Sequence, residues 1–167
     1  NIKAYSSAEG LHKSITTEVD LLMFIDKSEW KVIDYSSQAA GDEAYKAIDN
    51  DETTKWHTPY NRPEPRHPHT IAVDMHETYL VEEFIYTPRT DGLNGNIRDF
   101  DLYLSNDPDN WGDPVVSGRF ERGPSTKRVK LEEGISARYF KLVAKSEVNG
   151  RAWTSAAELG IVASSKE

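Results

Sequence analysis

From Trp30 onward, apolar and polar residues alternate in short segments, and turn-rich stretches separate these segments. The alternation places Ile71 and Val73 on one face of a strand, and it does the same for Phe100 and Leu102. The segments with this pattern are 70–75, 79–89, 97–105, 127–133, 137–146 and 157–164. Because one face stays polar, the pattern predicts antiparallel strands that share a core.

Turn-forming residues fill the stretches between these segments, as in "TDGLNGN", "NDPDNWGDP" and "ERGPSTK". No long segment has the 3.6-residue period of an amphipathic helix. We therefore predict an all-β fold, an antiparallel β-sandwich of the jelly-roll type.

Residues 1–28 differ from the rest, because their single apolar run, Val19–Ile25, lies among polar residues. We interpret 1–28 as a leader or linker that contributes one strand, or as the tail of a preceding domain, and 29–167 as one module. The chain starts at Asn1 without a methionine, so we expect a processed form or a fragment of a larger protein.

The composition excludes several classes of protein. With 37% hydrophobic and 29% charged residues, the chain is neither disordered nor built to cross a membrane by a helix. A formal net charge of −8 disfavours nucleic acid and anionic lipid as partners, because both attract basic surfaces. The chain has no cysteine, which removes disulfides and thiolate zinc sites.

The stretch "WHTPYNRPEPRHPHT", residues 56–70, is the first that could carry chemistry. Its prolines exclude a helix or a central strand, so we predict a loop. His67 and His69 flank Pro68, and we expect their side chains to face opposite ways and therefore not to bind one metal. We predict that they are ordinary strand-entry residues and that Trp56 belongs to the core.

Two further stretches admit both a structural and a functional interpretation. "YKAIDNDETTKW", residues 45–56, groups oxygen donors that suit a hard cation such as calcium, but it is not an EF-hand and can also be a solvated turn. In "PRTDGLNGNIRDF", residues 88–100, Arg89 and Asn94 suit recognition of a polar ligand, or a surface salt bridge and a turn.

Near the end of the chain, two residues of "NGRAWTSAAELGI" also admit both a structural and a functional interpretation. Trp153 is either a core plug or an exposed platform, and Glu158 is either a surface residue or the closing ligand of an ion site. No nucleophile elbow, zinc-protease helix, P-loop or dinucleotide fingerprint is present, and no pair of carboxylates stands out, so we do not expect an enzyme.

Taken in order, the stretches "YSSQAAGDEAYKAIDNDETTKWHT", "HPHTIAVDM", "YTPRTDGLNGNIRDFDLYLSNDPDNWG" and "RYFKLVAKSEVNGRAWTSAAELGI" resemble the coagulation factor five/eight type C (discoidin) superfamily. Within it, the chain is most similar to the family 32 carbohydrate-binding modules. The resemblance covers about residues 28–164. It implies a galactose-binding-domain-like β-sandwich with a structural calcium ion.

The resemblance also implies the ligands of that ion. They fall on residues with suitable oxygen donors: Lys46, Asp49, Asp51, Thr54, Ala157 and Glu158. Asn50 departs from the family, in which a glycine is common at this position, but asparagine tolerates a left-handed backbone. The ion would tie the first loop to the last strand, as a disulfide does elsewhere.

For a sugar ligand, the resemblance implies His57, Arg89, Asn94 and an aromatic platform at Trp153. Asp42 is the nearest match for an acidic partner, with Glu43 as the alternative, and Tyr60 is a second aromatic neighbour. Indole faces pack against pyranose rings, and planar amide and guanidinium groups suit adjacent hydroxyls.

These implications lead to one expected function and one alternative. We expect non-catalytic binding of galactose or N-acetylgalactosamine-type glycans by a monomeric module of a larger bacterial protein, one that degrades or captures glycans. We expect that protein to be extracellular, at the cell surface or periplasmic. The alternative is a discoidin-type module for protein or cell-surface adhesion. The acidic charge disfavours the lipid-binding version of that alternative.

Overall fold

The computed structural model describes residues 2–4, 17–19 and 25–164. These contain ten strands and one short 3-10 helix, Ala44–Ile48. The strands are β1 (Ile2–Ala4), β2 (Thr17–Val19), β3 (Lys31–Tyr35), β4 (Trp56–His57), β5 (His69–Thr87), β6 (Asp99–Ser105), β7 (Val116–Arg119), β8 (Lys127–Ala144), β9 (Ser155–Ala156) and β10 (Glu158–Ser164). The all-β prediction is confirmed. Among the described residues, no helix is long and apolar enough to span a membrane.

Antiparallel pairing joins six strands in the order β10-β5-β8-β6-β7, and β3 pairs with the first half of β5. Four segments that the sequence predicted as separate strands form two long strands. Segments 70–75 and 79–89 form β5, and segments 127–133 and 137–146 form β8. The sequence break between each pair corresponds to a register shift, as between Asp74 and Tyr79. An irregularity of this kind bends a strand without ending it.

The bends allow β5 and β8 to contribute to both layers of the sandwich. In one layer Val73 pairs with Phe140, while Phe84 lies on the other half of β5. The rings of Phe84 and Phe140 nevertheless meet edge to face, with centroids 5.4 Å apart. Both side chains are fully buried, so this contact joins the two layers across the core.

The predicted apolar faces are those that the core buries. Ile71, Val73, Phe100 and Leu102 are each at most 3% exposed. Trp56 is also buried, as predicted, and its Nε1 donates to the carbonyl of Ser37 at 2.9 Å.

The predicted boundary after residue 28 stays a prediction, but the described part of the leader contacts the module. Ile25 packs against the core, and the ammonium of Lys27 pairs with Glu158. Residues 1–28 were expected to contribute one strand, and their described part contains two short ones, β1 and β2, which pair with each other through Ile2 and Val19. Residues 20–24 lie outside the described part of the chain.

Candidate functional site

Six residues predicted for sugar binding line one open pocket of about 390 Å³ at the end of the sandwich. We call it the His57 pocket. Its lining comprises Asp42, Lys55, His57, Tyr60, Arg89, Asn94 and Trp153. The volume lies in the range of small-molecule sites. The structure therefore brings together side chains from four separate stretches of the chain, and it adds Lys55, which no motif in the sequence had indicated.

Short antiparallel pairing between β4 and β9 positions the centre of the pocket. His57 is the register partner of Ser155. The amide of Thr58 donates to the carbonyl of Thr154 at 2.9 Å, and the Thr154 amide donates to the Thr58 hydroxyl at 2.9 Å. These bonds hold the residue before Thr154, which is Trp153, beside His57.

Ser155 also anchors the loop that carries Asn94. Its amide donates to the carbonyl of Gly95 at 2.7 Å, and its hydroxyl donates to the carbonyl of Asn94 at 3.1 Å. The Asn94 side chain is exposed and makes no hydrogen bond to any described residue. Its amide is therefore available to a ligand while its backbone is fixed.

His57 is almost fully buried, and its surroundings define its protonation. Burial lowers the pKa of the ring, while the hydrogen bond to the Thr58 carbonyl opposes that shift. Nδ1 lies 2.5 Å from that carbonyl, which can only accept, so Nδ1 carries the proton. In the neutral ring, Nε2 is then an acceptor for a ligand hydroxyl.

The aromatic wall of the pocket consists of Trp153 and Tyr60. Their ring centroids lie 6.3 Å and 5.4 Å from that of His57. Trp153 is partly buried with its Nε1 turned away from solvent, and Tyr60 is 48% exposed. Trp153 is therefore neither a core plug nor a fully exposed plate, but a half-embedded wall whose accessible part is apolar.

A charge network forms the opposite wall. Arg89 donates from Nε and Nη2 to the two carboxylate oxygens of Asp91, at 2.5 and 2.8 Å. Its guanidinium holds the pKa of Asp91 well below the usual range. Lys55 lies 3.2 Å from the Asp91 carboxylate and 3.8 Å from that of Asp42. The salt-bridge interpretation of Arg89 is thus correct, yet N–H groups remain on both Nη atoms for a ligand.

Asp42 and Glu43 were alternatives for the acidic position, and they have separate roles. Asp42 lines the pocket, and its carbonyl accepts the His57 amide at 3.1 Å. The Glu43 carboxylate accepts the Gly41 amide at 2.7 Å and pairs with Lys46 at 3.1 Å. These contacts hold Glu43 in its own loop.

The expectation that His67 and His69 face opposite ways is wrong. Their ring centroids lie 4.6 Å apart. The reason is that only successive residues of an extended segment face opposite ways, so two residues on either side of a third share a face. Both Nε2 atoms bond to the loop around Trp153: His67 to the Thr154 hydroxyl at 3.1 Å, and His69 to the Ala152 carbonyl at 2.7 Å. They brace that loop.

Oxygen donors of the predicted calcium set converge beside the His57 pocket. The Asp49 carboxylate accepts the Thr54 hydroxyl at 2.7 Å and the Asp51 amide at 2.9 Å. The Asp51 amide lies 3.1 Å from the Glu158 carboxylate. Asn50 has φ 64°, the left-handed backbone that the sequence predicted asparagine would tolerate.

The donor chemistry at this site fits a hard cation, although side chains supply only part of it. Burial raises the pKa of Glu158, and the neighbouring Asp49 carboxylate adds to the rise. Oδ1 of Asp51 accepts both the amide and the hydroxyl of Thr53, and the atom of Asp51 predicted to bind the ion is its carbonyl oxygen. Within residues 25–164, no group of three His, Asp or Glu side chains could hold a metal alone, so main-chain carbonyls would complete the set.

Residues 31–159 match the F5/8 type C domain. Galactose oxidase of Gibberella zeae is 42% identical over 139 residues, which cover 82% of this chain and 20% of that protein. The sialidase of Micromonospora viridifaciens is 32% identical over 160 residues, which cover 93% of this chain and 24% of that protein. The chain thus spans about a fifth to a quarter of the length of these relatives.

Two solved structures share the fold. The family 32 carbohydrate-binding module of Clostridium perfringens NanJ, in complex with galactose, has a TM-score of 0.73 and 30% identity, covering 83% of this chain and 96% of that one. CpGH89CBM32-5 from Clostridium perfringens, in complex with GalNAc-β-1,3-galactose, has a TM-score of 0.75 and 34% identity, covering 83% and 99%. The sequence match, the fold and the residues of the pocket agree, and the chain belongs to the F5/8 type C domain family.

Proposed function

We propose that the chain is a non-catalytic carbohydrate-binding module that takes a terminal galactose or N-acetylgalactosamine in the His57 pocket. The observation that carries this proposal is the convergence of His57, Arg89, Asn94 and Trp153 on one small open pocket. The solved complexes of two similar modules with galactose-containing ligands support it.

The chemistry of each wall suits one part of a pyranose. The apolar part of Trp153 offers a rigid surface to the C–H face of the ring. Arg89 and Asn94 donate to adjacent hydroxyls, and Nε2 of His57 accepts from another. An axial hydroxyl directed at His57 would separate galactose from glucose. Each such bond contributes only about 0.5–1.5 kcal/mol after water is displaced.

A shallow pocket of this kind binds weakly, and we expect a Kd of about 0.1–1 mM for a monosaccharide. The function therefore depends on the larger protein, since linked copies or a multivalent glycan raise the apparent affinity. We propose that the parent protein is secreted or displayed at the surface and degrades or captures glycans. In the same proposal, calcium between the 49–54 loop and β10 stabilises the module.

Isothermal titration with galactose, N-acetylgalactosamine and glucose tests the proposal. We expect binding of the first two and at least about tenfold weaker binding of glucose. Trp153→Ala should abolish measurable binding. Trp111→Ala is the matched control, because Trp111 does not line the His57 pocket. Absence of heat with every galactoside would reject the proposal and favour protein adhesion, the alternative for this family.

A further inference from the structure

A second and larger pocket adjoins the aromatic wall of the first. It has a volume of about 650 Å³ and is lined by Arg62, Pro63, Glu64, Arg66, His67, Gly150, Arg151 and Ala152. We call it the arginine pocket. Neither the family resemblance nor the predicted sugar set involves any of its arginines.

The charge of this pocket is opposite to that of the chain. The whole protein carries −8, yet three guanidinium groups and a single carboxylate, that of Glu64, line the arginine pocket. Within residues 25–164, none of these three guanidinium groups has a nitrogen within 4.0 Å of a carboxylate oxygen. Four other arginines of the same region do form such pairs: Arg89, Arg119, Arg128 and Arg138. The three guanidinium groups are thus available to an anionic group of a ligand.

Two loops, the one after β4 and the one before β9, contribute to both pockets. The guanidinium of Arg151 lies 5.6 Å from the centroid of the Trp153 ring, so Arg151 lines one pocket while it contacts the wall of the other. Arg62 follows Tyr60 by two residues. His67, in the arginine pocket, is bonded to Thr154, the residue after Trp153. A ligand that leaves the His57 pocket over Trp153 therefore reaches the arginines.

Planar guanidinium groups recognise carboxylate and sulfate oxygens, often through two parallel hydrogen bonds. The chain as a whole is acidic and repels anions, so an anionic group of a ligand would bind preferentially at these arginines even though they are not buried. We propose that the arginine pocket is a second subsite for an anionic group, a carboxylate or a sulfate, on the part of the glycan next to the terminal galactose. This inference rests on the proposed function of the His57 pocket and names its ligand class: acidic galactosides.

Lactose and lactobionate form a suitable pair of probes, because both carry the same terminal galactose and only lactobionate adds a carboxylate beyond it. We expect lactobionate to bind at least about fivefold more tightly than lactose at about 20 mM salt, with the difference shrinking at about 500 mM. Lactose 6-sulfate, which carries its sulfate on the glucose unit next to the galactose, tests sulfate as the other source of the anion. A preference for one of the two identifies the anion that the site takes.

Variants separate the two pockets. Arg62→Gln, Arg66→Gln and Arg151→Gln, singly and together, should reduce the lactobionate advantage. Arg62→Gln and Arg66→Gln should leave lactose affinity within about twofold, whereas Arg151→Gln removes a contact with Trp153, so lactose is the internal reference for that variant. Glu64→Gln should increase that advantage. Arg119→Gln, on an exposed side chain outside both pockets, is the control for charge alone.

The outcomes distinguish the two proposals. Equal affinity for lactose and lactobionate, or an advantage that survives loss of all three arginines, overturns the second subsite while galactose binding stands. No binding of either probe rejects both. An advantage lost with the arginines and retained in Arg119→Gln supports the subsite.

Discussion

The buried carboxylate of Glu147 accepts a hydrogen bond from the amide of Gly95, 52 residues away in sequence, at 3.2 Å. The same carboxylate accepts the amides of Asn149 and Arg151, at 2.6 and 2.9 Å. Glu147 is only 2% exposed. One acidic side chain therefore fixes the loop that carries Asn94 to the loop that carries Trp153.

Replacement of Glu147 should disturb the His57 pocket although Glu147 does not line it. Glu147→Ala removes the acceptor of the buried Gly95 amide and of the Asn149 and Arg151 amides, and we expect a loss of about 2–4 kcal/mol in the free energy of unfolding. Galactose affinity should fall about fivefold or more. Chemical denaturation and sugar titration measure the two effects. Glu132→Ala, on an exposed side chain, should change neither, and an unchanged Kd in Glu147→Ala would contradict a positioning role.

Gly95 is required by both its backbone and its surroundings. It has φ 83°, and a Cβ at this position would lie 2.8 Å from the Ser155 hydroxyl oxygen and 2.9 Å from the Ser155 amide nitrogen. Gly95→Ala should cost about 2–4 kcal/mol, because it adds a clash with backbone to the cost of a left-handed alanine. It should also weaken sugar binding by moving Asn94.

A matched variant separates the two contributions to that cost. Gly41 has φ 87°, and no atom lies within 4 Å of the position that a Cβ would occupy there. Gly41→Ala therefore carries only the conformational cost, about 1–2 kcal/mol. Equal destabilisation of the two variants in urea would show that the Ser155 contact contributes nothing.

Sugar affinity should depend on pH through His57. Burial lowers its pKa below the usual value of 6.5, so the ring is neutral at pH 7 and Nε2 can accept. Protonation converts Nε2 to a donor. Affinity should be constant above pH 6.5 and should fall as the pH drops through the lowered pKa. Asp91 stays ionised across this range, because Arg89 holds its pKa low.

Galactose titrations between pH 8 and pH 4.5 measure this dependence, with circular dichroism at each pH to confirm that the protein is folded. An affinity that rises as the pH falls would mean that the charged imidazolium donates to the sugar. That result would reverse the role assigned to Nε2.

The sequence predicted the elements whose information is local. Alternation at Ile71 and Val73 identified β5, because a half-buried strand needs one apolar face. The resemblance predicted His57, Trp153 and the pair Arg89 and Asn94 as site residues, since these lie in three motifs that can be recognised locally. The continuity of β5 past Asp74 was not predicted, because the irregular residues there look like a turn in sequence.

The interactions that connect separate loops could not be read from local patterns. Glu147 lies in "SEVNG", where an acidic residue before a turn is usually solvated, and only the fold brings Gly95 to it. Lys55 became part of the pocket through Asp42 and Asp91, which lie on two other loops. The arginine pocket likewise joins Arg62 and Arg66 to Arg151 across most of the module.

We expect the Lys27 ammonium and a calcium ion to compete for the Glu158 carboxylate. The Lys27 ammonium pairs with the Glu158 carboxylate and donates to the Leu159 carbonyl at 3.2 Å. Without metal, Lys27→Ala should lower the Tm, because Glu158 and Asp49 then lose their nearby positive charge. It should also lower the calcium concentration needed for half-maximal stabilisation, by about threefold or more, because a competitor is removed. Thermal unfolding across a calcium titration, with EDTA and magnesium as references, measures both effects.

Lys31→Ala, on an exposed residue of β3, should behave like the wild type. A Tm that does not respond to calcium in either protein would contradict the predicted ion site, and an unchanged calcium midpoint in Lys27→Ala would show that the ammonium and the ion bind independently.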